Sequence, residues 1–396
     1  MIKVKGFKFS GISCGLKKSG KKDLGLISSE NICTTHAVFT KNKVVAAPLI
    51  IGKEILKKNL VKSIIVNSGN ANSCTGKNGI KATNEILKKI AKETNLKPSN
   101  YFPSSTGIIG VDLDYKKINK SIPNLISSLD GKSYRDFAEA ITTTDQYQKY
   151  SHSKLKIGKN TYNFLGIAKG AGMIHPNMAT MLCFFLTDLR INKNVLRSLI
   201  NEATSNSFNS ISVDGEMSTN DTVIALSNGA GGEEILTKNH KCLPKVKSIT
   251  ENIFYTLAKL IVKDGEGATK FCRINVVGAK SERSANQIAR KIANSLLFKT
   301  ALYGSDPNWG RIMSAIGASE VNEIKQNKID ISIGNSMVVR KGIANKRKGL
   351  FTESRRIMKR SEVEIKINLN IGKHSSFMLT NDIGNNYINF NSFYTT

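Results

Sequence analysis

The sequence predicts a layered α/β protein. Strand-like and helix-period segments alternate along its 396 residues, a pattern that packs helices over sheets. Residues 245–263 show one half of it, with Val246, Ile249, Ile253, Leu257, Leu260 and Ile261 at helical spacing. Residues 363–369, Val-Glu-Ile-Lys-Ile-Asn-Leu, show the other, alternating as a strand with one wet face. From the N-terminus, Ser63-Ile64-Ile65-Val66 reads as a buried strand ending in an Asn67-Ser68-Gly69-Asn70 turn. A helix follows over 79–94, burying Ile80, Ile86, Leu87, Ile90 and Ala91. Two short alternating runs between 155 and 168 flank Gly158-Lys159-Asn160, a hairpin that delivers the chain to Lys169. Leu182-Cys183-Phe184-Phe185-Leu186 is a short apolar strand, and 193–205 a helix with Leu196, Leu199, Ile200 and Ala203 inward. Gly265 falls where the C-terminal cap of the 245–263 helix is expected. A further helix over 282–298 should bury Ile288, Ala289, Ile292 and Leu296, and strands dominate beyond 328. The lysine-rich stretch 341–349 reads as solvated loop. There is no internal repeat and no low-complexity linker.

Composition removes several function classes. A hydrophobic fraction of 40% is globular, and the length allows two or three domains. No apolar run is long enough to span a bilayer, and Met1-Ile2-Lys3-Val4-Lys5-Gly6 lacks the apolar core of a secretion signal. The net charge of +29 invites a nucleic-acid reading. The lysines are scattered through every segment, however, without arginine stripes or aromatic platforms, so no nucleic-acid partner is expected. The field would instead steer anionic substrates towards a cleft. Six cysteines are widely separated, with no Cys-x-x-Cys pair, so no metal site is expected and a reducing cytoplasm fits. Cys183 and Cys272, inside apolar runs, read as buried thiols.

The most informative stretch is Lys169-Gly170-Ala171-Gly172-Met173-Ile174-His175-Pro176-Asn177-Met178-Ala179-Thr180. A cation, small residues that admit close backbone approach, and a Pro-Asn turn lead into a threonine at the mouth of an apolar strand. That arrangement suits nucleophilic acyl chemistry; a glycine turn feeding a core strand is the other reading of the same residues. An internal threonine hydroxyl is a weak nucleophile. An N-terminal threonine carries its own base, an α-amine titrating at about 7.7–8.0.

Motifs along nearly the whole chain carry a resemblance. They include Val66-Asn67-Ser68-Gly69-Asn70-Ala71-Asn72, Ser105-Thr106-Gly107-Ile108-Ile109-Gly110, Thr143-Thr144-Asp145 and the 169–180 block. Further on come Ser218-Thr219-Asn220-Asp221-Thr222, Asp264-Gly265-Glu266-Gly267-Ala268-Thr269-Lys270, Asp306-Pro307-Asn308-Trp309-Gly310-Arg311 and Tyr394-Thr395-Thr396. In this order they resemble the ornithine acetyltransferase family, the bifunctional glutamate N-acetyltransferases of arginine biosynthesis.

The resemblance implies a self-processing α/β sandwich of the ornithine acetyltransferase or DmpA-like type, with two subdomains and the active site between them. It implies cleavage between Ala179 and Thr180 into fragments 1–179 and 180–396, which stay together and pair again into a heterotetramer. Thr180 then takes acetyl from N-acetylornithine and passes it to glutamate. Acetyl-CoA is a candidate co-substrate, no cofactor is implied, and the location is cytoplasmic. The Thr106 hydroxyl or amide and the Gly107 amide would serve as oxyanion donors, and Thr143, Lys169, Thr180, Glu266, Asn391 and Thr396 would bind substrate. A slip of one among Thr142, Thr143 and Thr144 would move that assignment. Lys169 is the natural partner of a substrate carboxylate and Glu266 of an ammonium. The apolar residues Tyr387, Ile388, Phe390 and Phe393 would fold the tail over the pocket, while 218–222 and 306–311 would frame it. Trp309 would pack, and His175 would be a turn residue facing solvent. The rival enzyme is a self-processed threonine or serine amidohydrolase of related architecture, in which water resolves the acyl-enzyme.

Overall fold

The computed structural model describes residues 2–175 and 181–393. Ala179, Thr180 and Thr396 lie outside the described residues. The rest forms a mixed α/β structure of three principal sheets covered by helices. The first has the order Phe7–Ile12, Leu24–Ser29, Ser63–Asn70, Tyr101–Ile108, antiparallel except for its last pair. The second runs Thr34–Phe39, Thr222–Ser227, Leu182–Thr187, Asn160–Lys169, Lys149–Ile157. The third is seven-stranded and built from residues beyond 210, with Phe271–Ala279 between His374–Asn381 and Glu362–Asn368.

The apolar run at 182–186 has a simple origin. Leu182, Phe184 and Leu186 point into the core shared with the first sheet, while Cys183 and Phe185 point into a second core. A strand buried on both faces cannot alternate with polar residues. The second core is closed by the helices Lys193–Ser205 and Leu243–Lys263, whose apolar faces follow the periodicity except that Ile249 and Leu260 are only partly buried. The third core lies under Glu282–Ala293 and the shorter helices after it. Cys183 and Cys272 are fully buried thiols.

The hairpin forms as expected, with Ile157 opposite Asn160 and Gly158 at φ +59° in the turn. Its second strand packs closely on the helix Leu243–Lys263. A Cβ at Gly166 would stand 2.6 Å from Ile253 Cγ2 and 2.7 Å from Leu257 Cδ1. Gly166→Ala should therefore overpack the core and cost about 1–3 kcal/mol, read as a lowered thermal midpoint.

Four expectations change. The strand beginning at Ser63 continues through the supposed turn to Asn70, with Gly69 at φ +91° and an irregular register against Gly107. The helix expected over 282–298 stops at Ala293. Ser295 accepts the Phe298 amide and starts a new helix, Leu296–Tyr303, leaving Leu296 65% exposed. Gly265 does stand just past the C-terminal cap, Asp264, but without the left-handed backbone usual for a glycine there. It is small because Asn381 Nδ2 would lie 2.5 Å from a Cβ there. The stretch 341–349, read as loop throughout, includes the edge strand Ile343–Ala344. No helix among the described residues is long and apolar enough to cross a membrane.

Candidate functional site

Lys169 is the last residue of the strand Asn160–Lys169, opposite Leu182, which in turn lies opposite Thr222. Three adjacent strands thus bring Lys169, Met181 and Asp221 to one end of the second sheet. There the end of Tyr101–Ile108, the loop after the helix Leu243–Lys263 and the C-terminal helix Asn385–Ser392 border an open pocket with a cavity volume of about 140 Å³. Thr106, Gly107, Thr143, Lys169, Glu266 and Asn391 all line it, joined by Thr144, Ser218, Asn220, Asp214, Glu216 and Tyr387. Of the three adjacent threonines, Thr142 is turned away, its hydroxyl donating to the Glu139 carbonyl at 2.8 Å.

Lys169 is 2% exposed. Its Nζ donates to Thr106 Oγ1 at 3.2 Å, the hydrogen bond it makes among the described residues. Burial lowers its pKa, and Asp145, Glu266 and Asp221 oppose the shift. A buried ammonium with donors to spare is suited to a substrate carboxylate. Because Thr106 Oγ1 accepts from Lys169, its own proton points elsewhere, as an oxyanion donor requires. Gly107 is fixed by its backbone. At φ +131°, a Cβ would meet the Gly69 carbonyl carbon at 2.4 Å.

Glu266 is buried against Asn391, whose Nδ2 donates to Oε2 at 3.1 Å, and its backbone N–H donates to the Ala171 carbonyl at 2.9 Å. The carboxylate lies so close to residue 172 that a Cβ on Gly172 would be 2.2 Å from it. The tail does fold back, but of its apolar run only Tyr387 lines the pocket. Tyr387 and Asn391, four apart on one helical face, turn to the pocket, while Ile388 and Phe393 are exposed. Gly267 at φ +69° admits the Tyr387 amide, which would stand 2.4 Å from a Cβ.

Three carboxylates, none expected as a site residue in its own right, organise the surroundings. Asp214 accepts the Met173 and Ile174 amides at 2.6 and 2.8 Å, and burial raises its carboxyl to about 6. Asp221 Oδ1 accepts the Met181 amide at 3.0 Å, and burial pushes its pKa well above the usual carboxylate range. Asp145 joins Thr143 to Gly170 through backbone amides. Asn220 Nδ2 ties the Ala71 and Ser105 carbonyls at 2.6 and 2.9 Å. Asp145, Asn220 and Asp221 stood in recognised motifs; Asp214, before a glycine, carried only a turn signal.

Two assignments are corrected. The segment 218–222 does border the pocket, but 306–311 borders a separate cavity with Arg347 and Phe351, where Trp309 packs on the third core. His175 is half-buried beside Asn294, with Nδ1 and Nδ2 3.3 Å apart, and burial lowers its pKa.

The pocket thus sets a buried lysine, a buried carboxylate, a threonine hydroxyl and a glycine backbone side by side, an arrangement able to hold a small molecule that carries both a carboxylate and an amine. Residues 8–396 match the model of the ArgJ family. The arginine biosynthesis bifunctional protein ArgJ of Geobacter sulfurreducens is 38% identical over 397 residues, covering 100% of both chains. ArgJ 2 of Clostridium acetobutylicum is 42% identical over 391 residues, covering 99% of this chain and 97% of that protein. The crystal structure of ArgJ from Bacillus halodurans superposes with a TM-score of 0.52 at 36% identity, covering 54% of this chain and 100% of that chain. The chain belongs to the ArgJ family, acetyltransferases of arginine biosynthesis.

Proposed function

We propose that the chain moves an acetyl group from N-acetylornithine to glutamate through an acetyl ester on Thr180, after cutting itself between Ala179 and Thr180. The observation that carries this reading is convergence. Residues from five segments far apart in sequence, Thr106 with Gly107, Thr143, Lys169, Glu266 and Asn391, line one pocket.

Thr180 Oγ1 attacks the Ala179 carbonyl, and water hydrolyses the resulting ester. The freed α-amine then takes the hydroxyl proton when the oxygen attacks the acetyl carbonyl of the donor. The Gly107 amide and Thr106 stabilise the oxyanion, and the ornithine amine leaves with the proton. Glutamate attacks the acetyl ester in the reverse sense, giving N-acetylglutamate and restoring Thr180. Lys169 holds the α-carboxylate common to both substrates. Acetyl-CoA, carrying the same acetyl group, is a second donor for the first half-reaction.

Fragments 1–179 and 180–396 would remain one body. Leu182–Thr187 is hydrogen-bonded to Asn160–Lys169 from the other side of the cut, and Thr34–Phe39 pairs with Thr222–Ser227. Separation would expose two buried cores. The Bacillus halodurans chain, matched in full by 54% of this one, is in keeping with such a division. Two fragment pairs then assemble into a heterotetramer in the cytoplasm. The amidohydrolase alternative is not favoured, because the relatives are named for arginine biosynthesis.

The test is incubation with glutamate and either N-acetylornithine or acetyl-CoA. Acetylglutamate should form from N-acetylornithine with one ornithine released per acetyl moved. Hydrolysis to acetate at the same rate with and without glutamate would establish the hydrolase instead.

A further inference from the structure

Asp145 and Lys149 lie behind the pocket, and both side chains are fully buried. Asp145 Oδ1 accepts Lys149 Nζ and the Gly170 amide, each at 2.7 Å, and Oδ2 accepts the Thr143 amide at 3.0 Å. Lys149 Nζ continues to Asp264 Oδ2 at 2.5 Å, and Asp264 accepts the Gln146 amide at 3.1 Å. One ionic chain therefore touches the segments carrying Thr143 and Lys169 and ends two residues before Glu266. It also crosses the cut, since Lys149 precedes residue 180 and Asp264 follows it.

We propose that Asp145 and Lys149 are positioning residues that fix both the place and the charge of Lys169 within the assembled pocket. The inference rests on the acetyl-transfer reading given above. Place follows from the Gly170 amide. Gly170, at φ +151°, is the residue after Lys169, and Asp145 holds it at a set distance from Thr143. Charge follows from the groups facing the ammonium. Asp145 is the strongest of its stabilising charges, with Glu266 and Asp221 behind it, while Lys149 and Lys17 repel it. Burial alone would raise the Asp145 carboxyl, but Lys169 and Lys149 together bring it down to about 2, so it stays ionised throughout the working range.

The two members of the pair act on Lys169 with opposite sign, which separates positioning from general stability. Asp145→Asn removes the main anion, so the Lys169 ammonium should lose its proton at lower pH. Lys149→Gln removes a like charge, so the ammonium should persist to higher pH. The readout is the alkaline limb of kcat/KM for N-acetylornithine in the processed enzyme. Relative to wild type it should move down by about one pH unit in Asp145→Asn and up in Lys149→Gln. In Asp145→Asn, KM should rise by a larger factor than kcat falls. An active wild type whose limb stays fixed in both variants, or moves the same way in both, would overturn the inference while leaving acetyl transfer intact. Failure of both variants to fold, seen by circular dichroism, would assign the pair to stability and overturn it as well. An inactive wild type would instead count against the acetyl-transfer reading itself.

Discussion

Thr180→Ala is expected to run as one intact band on denaturing electrophoresis, where the wild type gives two, and to transfer no acetyl group. In the proposed mechanism the substitution removes the oxygen used in both self-cleavage and turnover. Without cleavage there is no free α-amine to act as base. Loss of a covalent nucleophile from an acyl-transfer site costs on the order of 10⁶ in kcat. Folding should survive, because the strands on either side of the cut belong to one sheet whether or not the backbone is continuous. Thr180→Ser keeps the oxygen and should still yield two bands. An intact wild-type band, or two bands from the alanine variant, would place the processing chemistry elsewhere.

Thr106→Val should lower kcat by about 10²–10³-fold, the usual loss for one oxyanion donor. The hydroxyl makes two contributions. It accepts from Lys169 Nζ at 3.2 Å, and, lining the pocket, it would give its own proton to the oxyanion in the proposed mechanism. Valine keeps the branched shape and deletes both, leaving the buried ammonium without that acceptor. KM for N-acetylornithine should therefore rise alongside the fall in kcat. Thr106→Ser restores the oxygen and should restore most of both parameters; a serine variant as impaired as valine would argue for the backbone amide alone.

The candidate site was legible because its residues sit in short motifs whose small members answer to identifiable close approaches. Gly107 faces the Gly69 backbone, Gly172 the Glu266 carboxylate, and Gly267 the Tyr387 amide. The strand 182–186 was legible because burial on both faces leaves an unbroken apolar run. What escaped was long-range and polar. Asp145 and Lys149, four apart, look like a surface pair, and Asp264, which makes the site a buried network, is 115 residues away from Lys149. The helix break at 294 escaped because Leu296 continued the apolar period; the capping Ser295 was the stronger local signal. The tail misled in a similar way. Its phenylalanines and isoleucine pointed to apolar docking, whereas Asn391 and Tyr387 make the approach.

The most direct measurement is mass spectrometry of the enzyme mixed with N-acetylornithine in the absence of glutamate. One acetyl group should appear on the fragment that begins at Thr180, map to that residue, and vanish on addition of glutamate as acetylglutamate forms. Sustained transfer with no acetyl group on the protein, or with the group on another residue, would contradict the threonine-ester mechanism.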